Sequence, residues 1–304
     1  MKVLISGASG FIGRSVSSLL QAGQHEVCRL VRDPAQVARG DVVWQPGAEL
    51  NPTSIADFDV IVHLAGKPVA TLWTPQAKEE IRSSRVEGTR TIAQAAAEAF
   101  KQGGKPHALI CSSASGYYGN RGDEELVEEC EAGLGFLAEV CREWEVAAET
   151  AAMAGVRVAH MRTAIVLDTK GGALAEMLPA FRFGVAGILG NGKQWWSWVS
   201  LADTSAAYVF AVENEQVHGA LNLAANAATN AEFTKTLGRM LRRPTILRIP
   251  AFALRAIAGQ LAEEMVLASQ RVVPKRLLEA GFTFEDSELE PTLRKLLNGT
   301  AKNI

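Results

Sequence analysis

The apolar run Val3-Leu4-Ile5 leads directly into Ser6-Gly7-Ala8-Ser9-Gly10-Phe11-Ile12-Gly13. That order predicts a strand, a glycine-rich turn and the start of a helix, and it constrains the fold more than any other stretch. Gly7 allows the tight turn, Gly10 lets phosphates approach the backbone, and Gly13 lets the helix lie close on the strand. The first helical turn, with Phe11 and Ile12, aims free N–H groups and a partial positive charge at an anion. Three glycines at this spacing say little alone. Between a strand and a helix they predict a site for the pyrophosphate of a dinucleotide, against the alternative of a glycine turn with no ligand.

Strand and helix patterns then alternate. Val3–Ile5, Glu26–Val31, Val42–Trp44, Val60–Leu64, Leu109–Ser112 and Val156–Arg162 read as strands, and Val60–Leu64 is apolar enough to be buried on both faces. Helices are expected over Phe11–Leu20, from Thr74-Pro75 to Phe100, and over Phe136–Ala152. Thr74 is placed to cap the second of these, with Pro75 at its first position. The fold class expected is α/β: a Rossmann-type, doubly wound parallel sheet over 1–167. A smaller, mostly helical substrate-binding cap is expected over 168–304, with segments returning to the first domain. Helices at Leu174–Phe183, Asp203–Val212 and Glu232–Leu241 and a strand at Ala220–Ala224 are expected there, and Gly184–Gly192 reads as a loop.

A chain of 304 residues with 48% hydrophobic and 21% charged residues suits a soluble enzyme. Its net charge of −2 gives no global field toward nucleic acid or an anionic membrane, so neither is expected as a partner. Two basic clusters, Arg239/Arg242/Arg243 and Arg271/Lys275/Arg276, fall in predicted helices and read as solvated faces rather than a polyanion site. The four cysteines and five histidines show no ligand spacing, so no metal is expected. Neither a secretory leader pattern nor a long apolar run is present, and a cytoplasmic location is expected.

The tip of the second strand bears on the cofactor. An acidic residue there favours NAD, and a basic one favours NADP. The strand ends Leu30-Val31-Arg32-Asp33-Pro34. The planar fork of Arg32 suits a 2′-phosphate. Asp33 is the competing candidate, but Pro34 after it assigns Asp33 to capping a helix. NADP(H) is therefore the expected cofactor.

These residues, with His63-Leu64-Ala65-Gly66, Gly88-Thr89, Ser112-Ser113-Ala114-Ser115-Gly116-Tyr117-Tyr118-Gly119, Val199-Ser200-Leu201-Ala202-Asp203 and Leu221-Asn222-Leu223, resemble the extended, epimerase/dehydratase-type short-chain dehydrogenase/reductases. Phe136 to Glu145, the Trp198 segment, and the tail Arg271-Val272-Val273-Pro274-Lys275-Arg276 with Ala280-Gly281-Phe282 bring the chain closer to the atypical YfcH-type epimerase-like subfamily. The resemblance implies that Leu64, Ala65 and Gly66 pass under the cofactor, and that the stretch beginning at Arg162 lies near the nicotinamide amide. It also implies that the two long helices pair relatives into dimers, leaving monomer and homodimer open.

Ordinary members use a Ser/Thr, a Tyr and a Lys four residues after the Tyr. Here Phe136 and Val140 stand at the Tyr and Lys positions, Ala114 matches the Ser/Thr, and Arg85 stands where many relatives have Asn. A substitute proton path is expected from Ser113 with Tyr117, with Tyr118 or Glu139 as further candidates. The alternatives are that both tyrosines only pack and that Glu139, Glu143 and Glu145 form a solvated helix face. Arg182, Lys193 and Gln194 beside Trp195, Trp196 and Trp198 suit a flat or anionic substrate such as a nucleotide-linked sugar, or the tryptophans form a core. Trp44 either flanks the adenine or packs. Two functions follow as expectations: an NADP-dependent oxidoreductase or epimerase-like enzyme on a small carbonyl or hydroxyl substrate, or a catalytically silent NADP(H)-binding sensor.

Overall fold

The computed structural model describes residues 1–301. The chain opens with β1 (Lys2–Ser6), α1 (Phe11–Ala22), β2 (Glu26–Val31), β3 (Val42–Val43) and β4 (Val60–His63). Then come α2 (Pro75–Lys101), β5 (Ala108–Ala114), the two-residue β6 (Glu125–Leu126), α3 (Phe136–Val146), α4 (Glu149–Met153) and β7 (Arg157–Thr163). The next stretch runs β8 (Ile165–Leu167), α5 (Gly172–Arg182), β9 (Gly187–Leu189), β10 (Trp195–Ser200), α6 (Leu201–Glu213), β11 (Gly219–Leu223), β12 (Asn226–Thr229) and α7 (Asn230–Met240). It closes with β13 (Leu247–Ile249), α8 (Ala251–Leu261), β14 (Arg271–Val272), α9 (Lys275–Glu279) and α10 (Leu289–Ala301).

The expected α/β architecture is present. Seven strands form one sheet in the order β3-β2-β1-β4-β5-β7-β11. The pairings of β1 with β2 and β4, β2 with β3, and β4 with β5 are parallel. The order turns back between β1 and β4, and such a switch point opens a crevice at the carboxyl ends of the strands. Val3, Leu4, Ile5, Val60, Ile61 and Val62 are fully buried, as strands covered on both faces require. Thr74 caps α2 by accepting the Ala77 N–H at 3.1 Å, with Pro75 at the first position.

By contacts the chain divides into two units. The first comprises 1–114, 140–162 and 205–221; the second comprises 115–139, 163–204 and 222–304. The first holds the large sheet, α1, α2 and a core running from Leu4 through Trp44 and Ile92 to Val158. The second holds a three-stranded sheet, β12-β10-β8, and two two-stranded ribbons, β13-β9 and β14-β6. Its core packs Trp196, Trp198, Phe233 and Leu293.

Several expected elements differ. The helix over Phe136–Ala152 breaks into α3 and α4, because the bonding tightens at Ala148, whose N–H turns to the Glu145 carbonyl three residues back. The loop Gly184–Gly192 contains β9, whose partner β13 lies about sixty residues later and is invisible to local pattern. Arg242 and Arg243 lie beyond the end of α7, and Arg271 is in β14 rather than a helix.

Candidate active site

The glycine turn is built around removed side chains. Gly7 has φ +71, a conformation L side chains rarely adopt. A Cβ on Gly7 would come within 2.8 Å of the Leu64 carbonyl carbon and the Ala65 nitrogen. A Cβ on Gly13 would stand 2.1 Å from the Gly7 carbonyl oxygen. The Gly10 N–H donates to the Gly7 carbonyl at 2.9 Å, and Gly10 caps α1 without any side-chain bond. The Arg14 N–H closes on the Gly10 carbonyl at 3.0 Å, so the amides of Phe11, Ile12 and Gly13 precede the helical ladder. These amides stand at the carboxyl end of β1, beside the switch point, with their N–H groups not used by the helix.

Beneath it, Ser6 and His63 tie β1 to β4. The Ser6 hydroxyl lies 2.6 Å from His63 Nδ1 and accepts the Leu64 and Ala65 amides at 3.2 and 3.3 Å. Since those bonds use its lone pairs, the Ser6 proton goes to Nδ1 and the His63 proton sits on Nε2. His63 is fully buried and stands edge-on to Trp44, centroids 5.8 Å apart. Burial, and then the charge of Arg85, press its pKa down to about 3. Trp44 is thus a packing residue of the core, and Gly88 on α2 leaves the room for it: a Cβ there would be 3.3 Å from the indole. The backbone at Gly66 carries the Arg85 guanidinium close against it, at 3.3 Å from where a Cβ would stand. Arg85 donates to the carbonyls of Lys67 and Ile81 and lies over the Trp144 ring at 5.1 Å.

At the tip of β2, Arg32 is exposed, and its side chain forms no ion pair among the described residues. Asp33 accepts the Ala35 N–H at 2.9 Å and caps a short 3-10 turn begun by Pro34, as the sequence indicates.

The ends of β5 and β7 carry a different arrangement. Ser113 donates its hydroxyl to Glu145 Oε1 at 2.6 Å. Arg162 grips the same carboxylate through two nitrogens, at 2.9 and 2.8 Å. Arg162 and Glu145 side chains are only 4% and 13% exposed. Glu145 is therefore not on a solvated face. Its role goes unseen in the sequence, although a basic residue ending the apolar strand Val156–Arg162 calls for a buried acid. Glu143 does pair near the surface, with Arg82. Cys141 sits beside this cluster, and burial first, then Glu145, push its thiol up to about 12. Val140 is buried and uncharged.

The second unit holds the remaining candidates. Phe136 opens α3 and is 8% exposed. The N–H groups of Phe136 and Leu137 donate to the Glu264 carboxylate at 3.0 and 2.8 Å, so an acid 128 residues distant caps this helix. Tyr118 is fully buried and donates to Asn222 Oδ1 at 2.7 Å, which makes it a packing residue. Tyr117 is half-buried, edge-on to Tyr118 at 5.3 Å. Ser115 donates to Gln270. Trp196 and Trp198 are core, whereas Trp195 lies under Arg271 at 4.8 Å. Glu139 is exposed.

Residues 3–224 match the NAD dependent epimerase/dehydratase family, and 249–296 match a domain of unknown function, DUF1731. The chain belongs to the NAD dependent epimerase/dehydratase family. It is 40% identical to an epimerase family protein of Mycobacterium leprae, over 96% of this chain and 94% of that protein. Among solved structures, human epimerase family protein SDR39U1 with NADPH superposes at TM-score 0.85 with 30% identity, covering all of both chains. A nucleoside-diphosphate sugar epimerase from Corynebacterium glutamicum matches at TM-score 0.81 and 35% identity, over 98% of this chain and 58% of that one.

Proposed function

We propose that this chain binds NADP(H) and is an oxidoreductase of the epimerase-like kind, acting on a small carbonyl or hydroxyl compound, with nucleotide sugars the first class to test. The observation that carries the reading is the glycine turn between β1 and α1: Gly7 and Gly13 let backbone pack on backbone, and the first-turn amides of α1 are left ahead of the helical ladder at the switch point. The human relative solved with NADPH supports the choice of cofactor. In this reading residues 1–167 carry the cofactor and 168–304 the substrate. The amides of Phe11, Ile12 and Gly13 hold the diphosphate, with Gly7 and Gly10 keeping the approach open. Arg32 holds the 2′-phosphate, and the backbone of Leu64, Ala65 and Gly66 runs beneath the dinucleotide. When bound, the nicotinamide supplies hydride transfer.

For the protein's own proton chemistry we take Ser113 and Tyr117 as the pair to test. Ser113 already gives its proton to Glu145. Its oxygen is left to accept a hydrogen bond, which suits a substrate hydroxyl. Tyr117 is then the group with a proton to exchange. Arg162, fixed by Glu145, presents no freely moving charge and acts by holding the strand end near the nicotinamide amide. The four free cysteines are in keeping with a reducing, cytoplasmic setting.

A second reading, a silent NADP(H)-binding sensor, is favoured by the apolar, buried Phe136 and Val140. Calorimetry with both dinucleotides tests the binding claim. NADPH should bind more tightly than NADH, and Arg32→Ala should remove that preference by roughly ten- to hundredfold, the value of a hydrogen-bonded charge. Tighter NADH binding overturns the assignment. Oxidation of NADPH by a panel of carbonyl compounds and keto-sugar nucleotides, lost in Tyr117→Phe, separates the enzyme from the sensor.

A further inference from the structure

The two basic clusters of the sequence part company in the folded chain. Arg271 pairs with Glu125 at 3.1 Å, and Lys275 and Arg276 share Glu129 at 3.5 and 3.4 Å, so each of the three has an acidic partner. The stretch 239–262 holds five arginines and no acidic residue. Arg239 reaches Glu290 at 3.1 Å, and Arg255 reaches Glu263 at 2.6 Å. Arg242, Arg243 and Arg248, with Arg182, are exposed and form no ion pair among the described residues.

Large apolar side chains stand in water among these arginines. Ile246 is 87% exposed, Phe183 82%, Ile257 80% and Phe252 73%. α8, with the sequence Ala-Phe-Ala-Leu-Arg-Ala-Ile-Ala-Gly-Gln-Leu, has no buried residue. The segments are neighbours: β9 pairs with β13, Leu247 opposite Gly187, and the Gly190 N–H bonds to the Ile249 carbonyl at 2.9 Å just before α8. Large exposed apolar side chains gathered on neighbouring segments are the pattern of an interaction site. Ala251, Ala253, Leu254, Ala258 and Leu261 are only half-buried, so α8 packs shallowly and keeps Phe252 and Ile257 in solvent.

The occupant must offer negative charge and hydrocarbon together. A second copy is disfavoured, because a two-fold contact lays the patch on itself and sets arginine against arginine. Nucleic acid offers phosphate but no hydrocarbon for Phe183, Ile246, Phe252 and Ile257. An anionic bilayer offers both, with head-group phosphate above acyl chains, and arginine stems can lie along the boundary. We propose that the surface formed by β9, β13 and α8 docks the protein reversibly on anionic lipid. The attachment is peripheral, since no described helix is long and apolar enough to cross a membrane. The net charge of −2 does not oppose it. A membrane's surface potential fades within a Debye length, so the charge nearest the bilayer decides.

Flotation of the full chain with vesicles of phosphatidylcholine, with and without phosphatidylglycerol, tests this. Binding is expected only with phosphatidylglycerol, and weaker at high salt. The triple variant Arg242→Gln, Arg243→Gln, Arg248→Gln should lose roughly a hundredfold in partition, as three surface charges imply. Phe252→Ser with Ile257→Ser should weaken it as well, and both variants should keep wild-type NADPH affinity. Equal binding to neutral vesicles, no binding to either, or full binding by the arginine variant overturns the proposal. Binding to heparin or an acidic peptide that the Phe252/Ile257 variant retains, without vesicle binding, also overturns it and assigns the patch to a soluble polyanion or an acidic protein.

Discussion

Within one sheet, the ends of β1 and β4 and the ends of β5 and β7 are built on opposite principles. At the first pair, atoms are missing: Gly7 and Gly13 have no room for a Cβ, and the one buried titratable ring, His63, is kept neutral. At the second pair, charges are brought in and satisfied by each other: Ser113, Glu145 and Arg162 close on one carboxylate. The first region is backbone packed on backbone, with the opening amides of α1 left without an intrahelical partner. The second is a finished structure whose groups are already paired. Its cost on desolvation is repaid only by good geometry. Under the proposed function the first pair would supply the cofactor's binding determinants and the second a fixed wall.

The largest expected effect attacks the charged region. Glu145→Ala leaves Arg162 buried without a counter-charge, and that should lower stability by about 3–5 kcal/mol in urea unfolding. Adding Arg162→Met to Glu145→Gln removes both charges and should recover most of the loss, since an apolar replacement of a whole buried pair is often neutral. A loss below about 1 kcal/mol for Glu145→Ala would place the pair with ordinary surface pairs and erase the contrast.

The glycine region should break differently. Gly13→Ala puts a methyl 2.1 Å from a backbone oxygen, so α1 must shift. A cost of about 1–3 kcal/mol is expected, with NADPH binding lost alongside. Gly10→Ala sharpens the point. Its φ of −71 is ordinary and its Cβ would meet only the Gly7 oxygen, at 3.1 Å. Stability measured by urea should therefore change little, while calorimetry should show weakened NADPH binding if Gly10 serves the phosphates. A Gly10→Ala variant that binds NADPH normally would remove Gly10 from the site.

What the sequence makes legible follows the same division. The glycine turn, the Thr74 cap and the Asp33 cap are local: each signal and its partner lie within a few residues. Strand runs such as Val60–His63 are legible because burial on both faces leaves no polar interruption. The Ser113–Glu145–Arg162 cluster is assembled from β5, α3 and β7, and neither helical period nor strand alternation links a residue on α3 to one 17 positions later on a strand. The cap of α3 comes from Glu264, and β9 exists only because β13 returns beside it. Phe136 and Val140 are readable as departures from a known pattern, but the groups that surround them are tertiary.

A last test concerns His63 and reads the uncharged region by its pH response. The unfolded imidazole titrates near 6.5, whereas the folded one holds out to about 3, chiefly through burial. Below pH 6.5 the unfolded state therefore binds a proton that the folded state refuses. Stability is fully present above pH 6.5 and falls as the pH drops toward 3. Between pH 8 and pH 5 His63 should account for a loss on the order of 2 kcal/mol, readable as a shift in urea midpoint. His160, also depressed by burial, acts in the same direction, so His63→Gln should flatten only part of the slope. Because that variant also disturbs the Ser6 bond, the slope with pH is the decisive quantity, not the stability at any single pH. Glu128, raised by burial, works in the opposite direction, so the comparison with His63→Gln decides: a variant whose stability falls between pH 8 and pH 5 as steeply as the wild type's would mean that water reaches His63 beneath the glycine turn.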